Sequence, residues 1–136
     1  MSGLFGTFGI AGSGVTVYRK WLDAISDNIA NVNNATRTDA PAFTEKYVLA
    51  QALDYGGGEG GVEVAGIAEG SAAGRLVYEP GHPLADKDGY VKYPDIDLGA
   101  QMTQMIMAQR GYQANLAVVD RARDAYSAAI QIGRSS

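Results

Sequence analysis

The side chains that could do chemistry in this chain are few and stand apart. Its only histidine, His82, lies between Gly81 and Pro83. With no second histidine and no cysteine it cannot complete a common zinc set, and its neighbours read as a turn. Asp86-Lys87-Asp88-Gly89 begins like a calcium loop. Tyr90 and Val91 then occupy the next ligand positions, and no glutamate follows where an EF-hand requires it. An aspartate-glycine turn is the plainer reading. Ser13 is set among glycines with no base in view to activate it. The tract Gly56-Gly57-Gly58-Glu59-Gly60-Gly61 lacks the Gly-Lys-Ser/Thr ending of a phosphate loop. Asn34-Ala35-Thr36 matches a glycosylation acceptor, a triplet common enough to arise by chance. The residues assign no catalytic, cofactor or metal site, and an enzyme is not the expectation.

Bulk properties narrow the classes further. The chain has 136 residues, room for one domain. It is 46% hydrophobic and 19% charged, with a formal net charge of −4. Its 11 lysines and arginines are scattered, so neither nucleic acid nor an anionic membrane is the expected partner. No stretch is long and apolar enough to span a bilayer. No basic region precedes an apolar block at the N-terminus, so export, if it occurs, is expected without a cleaved signal peptide.

What organises the chain is therefore periodicity. In the last third, steps of four and three from Leu98 select Met102, Met105, Gln109, Tyr112, Leu116, Val119, Arg123, Tyr126 and Ile130. A spacing averaging 3.5 residues draws one stripe along a helix, the seam of a coiled coil. Such a helix would be about 55 Å long. Between Leu98 and Val119 its only charged residue is Arg110; the back of the stripe carries Gln101, Gln104, Gln113, Asn115, Ala100, Ala108, Gly111, Ala114 and Ala117. A lone surface helix places charge there. Small residues and amides imply contact on several sides.

A second stripe runs through Phe8, Ala11, Val15, Tyr18, Leu22, Ile25, Ile29 and Val32, predicting a helix over 8–32. Glycines at 3, 6, 9, 12 and 14 make its beginning costly as an isolated helix, so this part is expected to order on docking. Two striped helices at opposite ends predict an antiparallel coiled coil. Alone, that hairpin of helices should be marginal, because ordering some 60 residues at ~1–2 kcal/mol each opposes the burial.

Between them the chain reads as extended. Strands are predicted over 43–53 and about 62–69, paired across a glycine-rich loop at 56–61. Residues 75–79 and 90–93 are extended, and Pro80-Gly81 and Asp88-Gly89 mark turns. Pro94 sets up the long helix, with Asp95 or Asp97 as its N-cap. The fold class expected is mainly α with a small β insertion: 1–34 and 95–136 form a discontinuous helical domain, and 35–94 a small extended or β outer domain.

Three motifs then carry a resemblance. The central block Tyr78-Glu79-Pro80-Gly81-His82-Pro83-Leu84-Ala85-Asp86-Lys87-Asp88-Gly89-Tyr90-Val91, continued by Pro94-Asp95-Ile96-Asp97, resembles that of the bacterial flagellar basal-body rod proteins of the C type. Asn28-Ile29-Ala30-Asn31 is similar to the Asn-x-Ala-Asn element of flagellar axial proteins. Arg110-Gly111-Tyr112-Gln113-Ala114-Asn115 is similar to their C-terminal Arg-x-Tyr-Glu/Gln-Ala-Asn element. The stretch from Val32 to Phe43 departs from the family pattern in length and asparagine content. The resemblance implies a structural subunit of the proximal rod, with paired terminal helices facing an export channel and their neighbours. It implies copies of the same chain, other rod proteins and the ring or export-gate junction proteins as partners. It also implies passage through the flagellar type III export apparatus to a periplasmic rod. The competing expectation is a non-catalytic helical adaptor that receives one partner helix in its groove.

Overall fold

The computed structural model describes residues 2–57 and 60–136. Helix α1 spans Ser2–Asn31 and helix α2 spans Leu98–Ser135. Between them lie β1 (Lys46–Asp54), β2 (Gly60–Glu69), β3 (Arg75–Tyr78) and β4 (Tyr90–Tyr93). The 38 residues of α2 give it a length of about 57 Å.

The helices pack antiparallel. Phe5 meets Tyr126 edge-on with ring centroids 5.5 Å apart, Gly14 abuts Asn115, and Asn28 bonds Gln101. That first contact explains why α1 begins earlier than residue 8. Leu4, Phe5 and Phe8 gather with Ala122 and Tyr126 at the far end of the pair. Phe5 and Phe8 remain largely exposed in this cluster, so their contact offsets only part of the glycine cost that the sequence places there.

The N-cap of α2 is Asp97, whose Oδ1 accepts from the Ala100 N–H at 3.1 Å. A carboxylate there also faces the positive end of the helix dipole. Pro94 and Ile96, just before it, are buried and hold the entry of the helix.

Two antiparallel two-stranded sheets fill the middle. β1 pairs β2 from Lys46–Glu69 to Asp54–Gly60, with a bulge between Leu49 and Ala50. The hairpin across the glycine tract is thus present, starting at Lys46 rather than Phe43. Gly60 and Gly61 belong to β2 and not to the loop, because a ladder needs only their backbone. The tip residues 58 and 59 of that predicted loop lie outside the described residues. This hairpin rests on α1, where Val48, Ala50 and Val62 face Val17, Tyr18 and Trp21 across a shallow recess. β3 pairs β4 from Arg75–Tyr93 to Tyr78–Tyr90. The segment leaving α1 is strapped to this second sheet by reciprocal backbone bonds between Thr36 and Lys92, at 2.8 and 3.0 Å.

Candidate functional site

The residues of the central motif build a self-contained turn between β3 and β4. His82 Nδ1 accepts the Leu84 N–H at 3.1 Å, so the histidine closes a local turn. Asp86 Oδ1 accepts the N–H groups of Asp88 and Tyr90, both at 2.9 Å. The Tyr90 N–H foremost, then the Thr38 hydroxyl and the amides of Asp88 and Gly89, hold its carboxyl below the usual range, while slight burial works the other way. Gly89 has φ +87°, and a Cβ there would lie 2.8 Å from the Tyr78 ring. That ring meets Tyr90 edge-on at 5.4 Å, and Pro80 packs beside the glycine. Val91 and Pro94 are fully buried, Ala85 is half-buried and Pro83 exposed. Tyr78, Pro80, His82, Asp86, Gly89, Tyr90, Val91 and Pro94 thus shape the loop or anchor it. Ser13 is likewise a structural link: its Oγ donates to Ile10 O at 2.7 Å and accepts the Val62 N–H at 3.0 Å.

The helical motifs sit at the centre of the molecule. Asn28 and Gln101 are each 1% exposed. Asn28 Oδ1 accepts the Lys46 N–H at 2.8 Å, and its Nδ2 donates to Lys46 O at 3.0 Å and to Gln101 Oε1 at 3.1 Å. Gln101 Nε2 donates in turn to Glu45 Oε1. One amide junction therefore joins α1, α2 and the start of β1. Asn31 bonds its own helix at Asp27 O, and Ala30 is exposed. Asn115 donates to Gly111 O at 2.9 Å while its side chain fills the space over Gly14. Gly111 itself lies under the Tyr18 ring, which a Cβ would strike. The close helix approach expected at Gly111 is made by this chain's own α1. Arg110 and Ala114 are exposed and Tyr112 is half-buried.

The contact between the helices differs from the expected stripes by alternate residues. On α2 the face toward α1 runs through Gln101, Met105, Ala108, Tyr112, Asn115, Val119, Ala122 and Tyr126. Met105, Tyr112, Val119 and Tyr126 belong to the stripe; Gln101, Ala108 and Asn115 come from what the sequence presents as the back, and Ala122 continues that line beyond it. On α1, Ala11, Tyr18 and Ile25 are retained and Val32 is buried just beyond the helix, while Gly14 and Asn28 meet Asn115 and Gln101 of α2; Val15, Leu22 and Ile29 are half-buried. The physical reason is distance. Glycine, alanine and amides let two backbones approach closely. The larger residues are displaced to the flanks. Leu98, Met102, Leu116 and Ile130 are exposed, and Met102 is 56% so.

Those flanks are the candidate assembly surface. At about 100° per residue, Leu98, Met102, Ile106 and Leu116 project from one side of α2, and Met107 and Val118 from the other. All six are exposed, Ile106 at 52% and Met107 at 57%. Single exposed apolar residues are ordinary, whereas a sustained band marks a surface meant to be covered. Among the described residues, no three acidic, histidine or cysteine side chains gather to hold a metal ion, and no helix is long and apolar enough to cross a membrane.

Known proteins resemble this chain in sequence along nearly its whole length. The family model for the C-terminal region of flagellar basal body rod FlgEFG proteins matches residues 87–132, which is β4, the cap and most of α2. The flagellar basal-body rod protein FlgC of Salmonella typhimurium is 38% identical over 133 residues, covering 96% of this chain and 98% of the relative. FlgC of Escherichia coli O157:H7 is 37% identical over 132 residues, with the same shares covered. FlgC of Borreliella burgdorferi is 34% identical, covering 96% of this chain and 97% of the relative. The chain belongs to the FlgC family of flagellar basal-body rod proteins.

Proposed function

We propose that this chain is a structural subunit of the flagellar rod and does no catalysis. The observation that carries the reading is identity with FlgC relatives along almost the whole length, from α1 through the β segment to α2. In this reading the chain polymerises helically with copies of itself and with other rod proteins. Together they form the proximal rod, the drive shaft and export channel crossing the periplasm. Residues 1–34 and 95–136 make the inner helical part, and 35–94 the outer part. The exposed flanks of α2 become subunit contacts, which accounts for the near absence of charge on its outer side between Leu98 and Val119. Junction proteins of the basal-body ring and export gate are its neighbours at the base, and the type III export apparatus delivers it.

The test is deletion of the gene in its host, followed by electron microscopy of purified basal bodies. The expected particles keep their rings but lack rod, hook and filament, and the gene supplied in trans restores them. Complete flagella in the deletion strain would overturn the reading.

A further inference from the structure

We infer that the buried amide junction makes the seating of the β1–β2 hairpin on α1 conditional on the docking of α2. Asn28 makes three side-chain hydrogen bonds, using both amide hydrogens and its oxygen, and they join three elements. Its oxygen and one amide hydrogen grip the backbone of Lys46, the first residue of β1. The other hydrogen goes to Gln101 of α2. Gln101 then donates to Glu45, the residue just before β1. Among the described residues, no other side-chain hydrogen bond joins α2 to residues 45–69. With both amides 1% exposed, departure of α2 strips a partner from Asn28 and from Glu45 at once.

A second route runs parallel to the first. Tyr18 leans over Gly111 of α2 and, with Val17 and Trp21, forms the floor on which Val48, Ala50 and Val62 sit. If α2 leaves, that floor loses its support. The other end of the hairpin is held by Ser13, whose Oγ accepts the Val62 N–H; it touches α1 alone and so reports the seat independently of α2. The hairpin is thus no free appendage. A copy whose two helices are docked presents it in one direction, and a copy with α2 undocked does not.

The chain has no cysteine, so an engineered pair gives a clean reporter. A Cβ at Gly61 would stand 3.5 Å from the Ser13 Cβ, within disulfide reach. In the purified full chain, Ser13→Cys with Gly61→Cys should cross-link within one molecule in a glutathione redox buffer. Adding Gln101→Leu, which keeps the seam filled but removes both amide bonds, should slow cross-linking at least about fivefold. Glu45→Ala lies outside both helices, so it decides the matter should Gln101→Leu lose helix content by circular dichroism. It should slow cross-linking in the same sense with helix content unchanged. Tyr47→Phe removes only the neighbouring hydroxyl contact to Glu45 and should cross-link at the parent rate. A parent rate for Glu45→Ala, an equal slowing by Tyr47→Phe, or no cross-link in the parent pair would each overturn the inference. None of these readouts depends on rod assembly.

Discussion

At the scale of single residues, two positions decide more than their size suggests. Gly111 is the first. In an exposed helix, glycine to alanine gains up to about 1 kcal/mol of helix propensity. Here the new methyl would enter the Tyr18 ring, and overpacking costs typically ~1–3 kcal/mol. The clash should win, so Gly111→Ala should lower the urea midpoint of the full chain. Gly133→Ala, with nothing within 4 Å, should leave the midpoint unchanged or raise it. A midpoint for Gly111→Ala at or above the parent would show that Tyr18 swings aside freely. The second position is Asp86. Its carboxyl titrates below the ordinary 3.8 because the Tyr90 N–H, above all, bonds the charged form. A depressed folded value means that its contribution is present above the unfolded value and is lost as pH falls through the folded one. Asp86→Asn should therefore weaken the β3–β4 turn near neutral pH and flatten its acid response below about pH 4. The Tyr90 and Gly89 amide resonances followed through an acid titration report this directly. An unchanged titration in the variant would assign the loop's stability elsewhere.

At the scale of elements, the test lies on the flanks of α2. Met102→Glu with Leu116→Glu changes two exposed side chains away from the buried face, so helix content of the free chain should be retained. In cells the same change should abolish motility and leave rodless basal bodies, since it places charge in a contact that must desolvate. Full motility would remove this flank from the assembly surface. The same flank shows how far the sequence could be read. Both helices, their antiparallel pairing, the first hairpin and the two later extended pieces were legible, and the cap of α2 was narrowed to Asp95 or Asp97, because periodicity, turn residues and capping act locally. The identity of the helix seam was only half legible. Apolar periodicity selects the largest side chains, and those fall on Val15, Leu22, Ile29, Leu98, Met102 and Leu116. Close packing selects the smallest, and those are Gly14, Ala108 and Ala122, with Asn28, Gln101 and Asn115 paired among them. The signal that could have identified them was already visible as the charge-poor back of α2. An amide-and-alanine face beside a large apolar face means two contacts of different closeness, with the closer one inside the chain. Ser13 was less legible still, since its partner Val62 is 49 residues away and the bond uses backbone rather than side chain.

At the scale of the whole molecule, the balance of burial predicts a subunit that relies on association. Among the described residues, half of the buried apolar side chains are alanines: Ala11, Ala24, Ala42, Ala108 and Ala122. Alanine burial contributes far less than the ~1.5–3 kcal/mol of a large aliphatic or aromatic side chain. The large side chains are instead outside, as with Phe5, Leu49, Tyr55, Ile106 and Met107. A pair of helices about 45 Å and about 57 Å long with a light seam gains little per residue against its ordering entropy. Contacts made only by the folded chain must add the rest, and such contacts make stability depend on concentration. Each tenfold rise in concentration shifts an association-linked equilibrium by up to about 1.4 kcal/mol. For a chain of this size that corresponds to several degrees in the thermal midpoint. The midpoint followed by circular dichroism should therefore climb as the chain is concentrated through the micromolar range. In the Met102→Glu, Leu116→Glu variant it should stay at the parent's dilute value. A parent midpoint and helix content fixed across that range would mean that the helix pair is self-sufficient, and the exposed flanks would then serve recognition without contributing to stability.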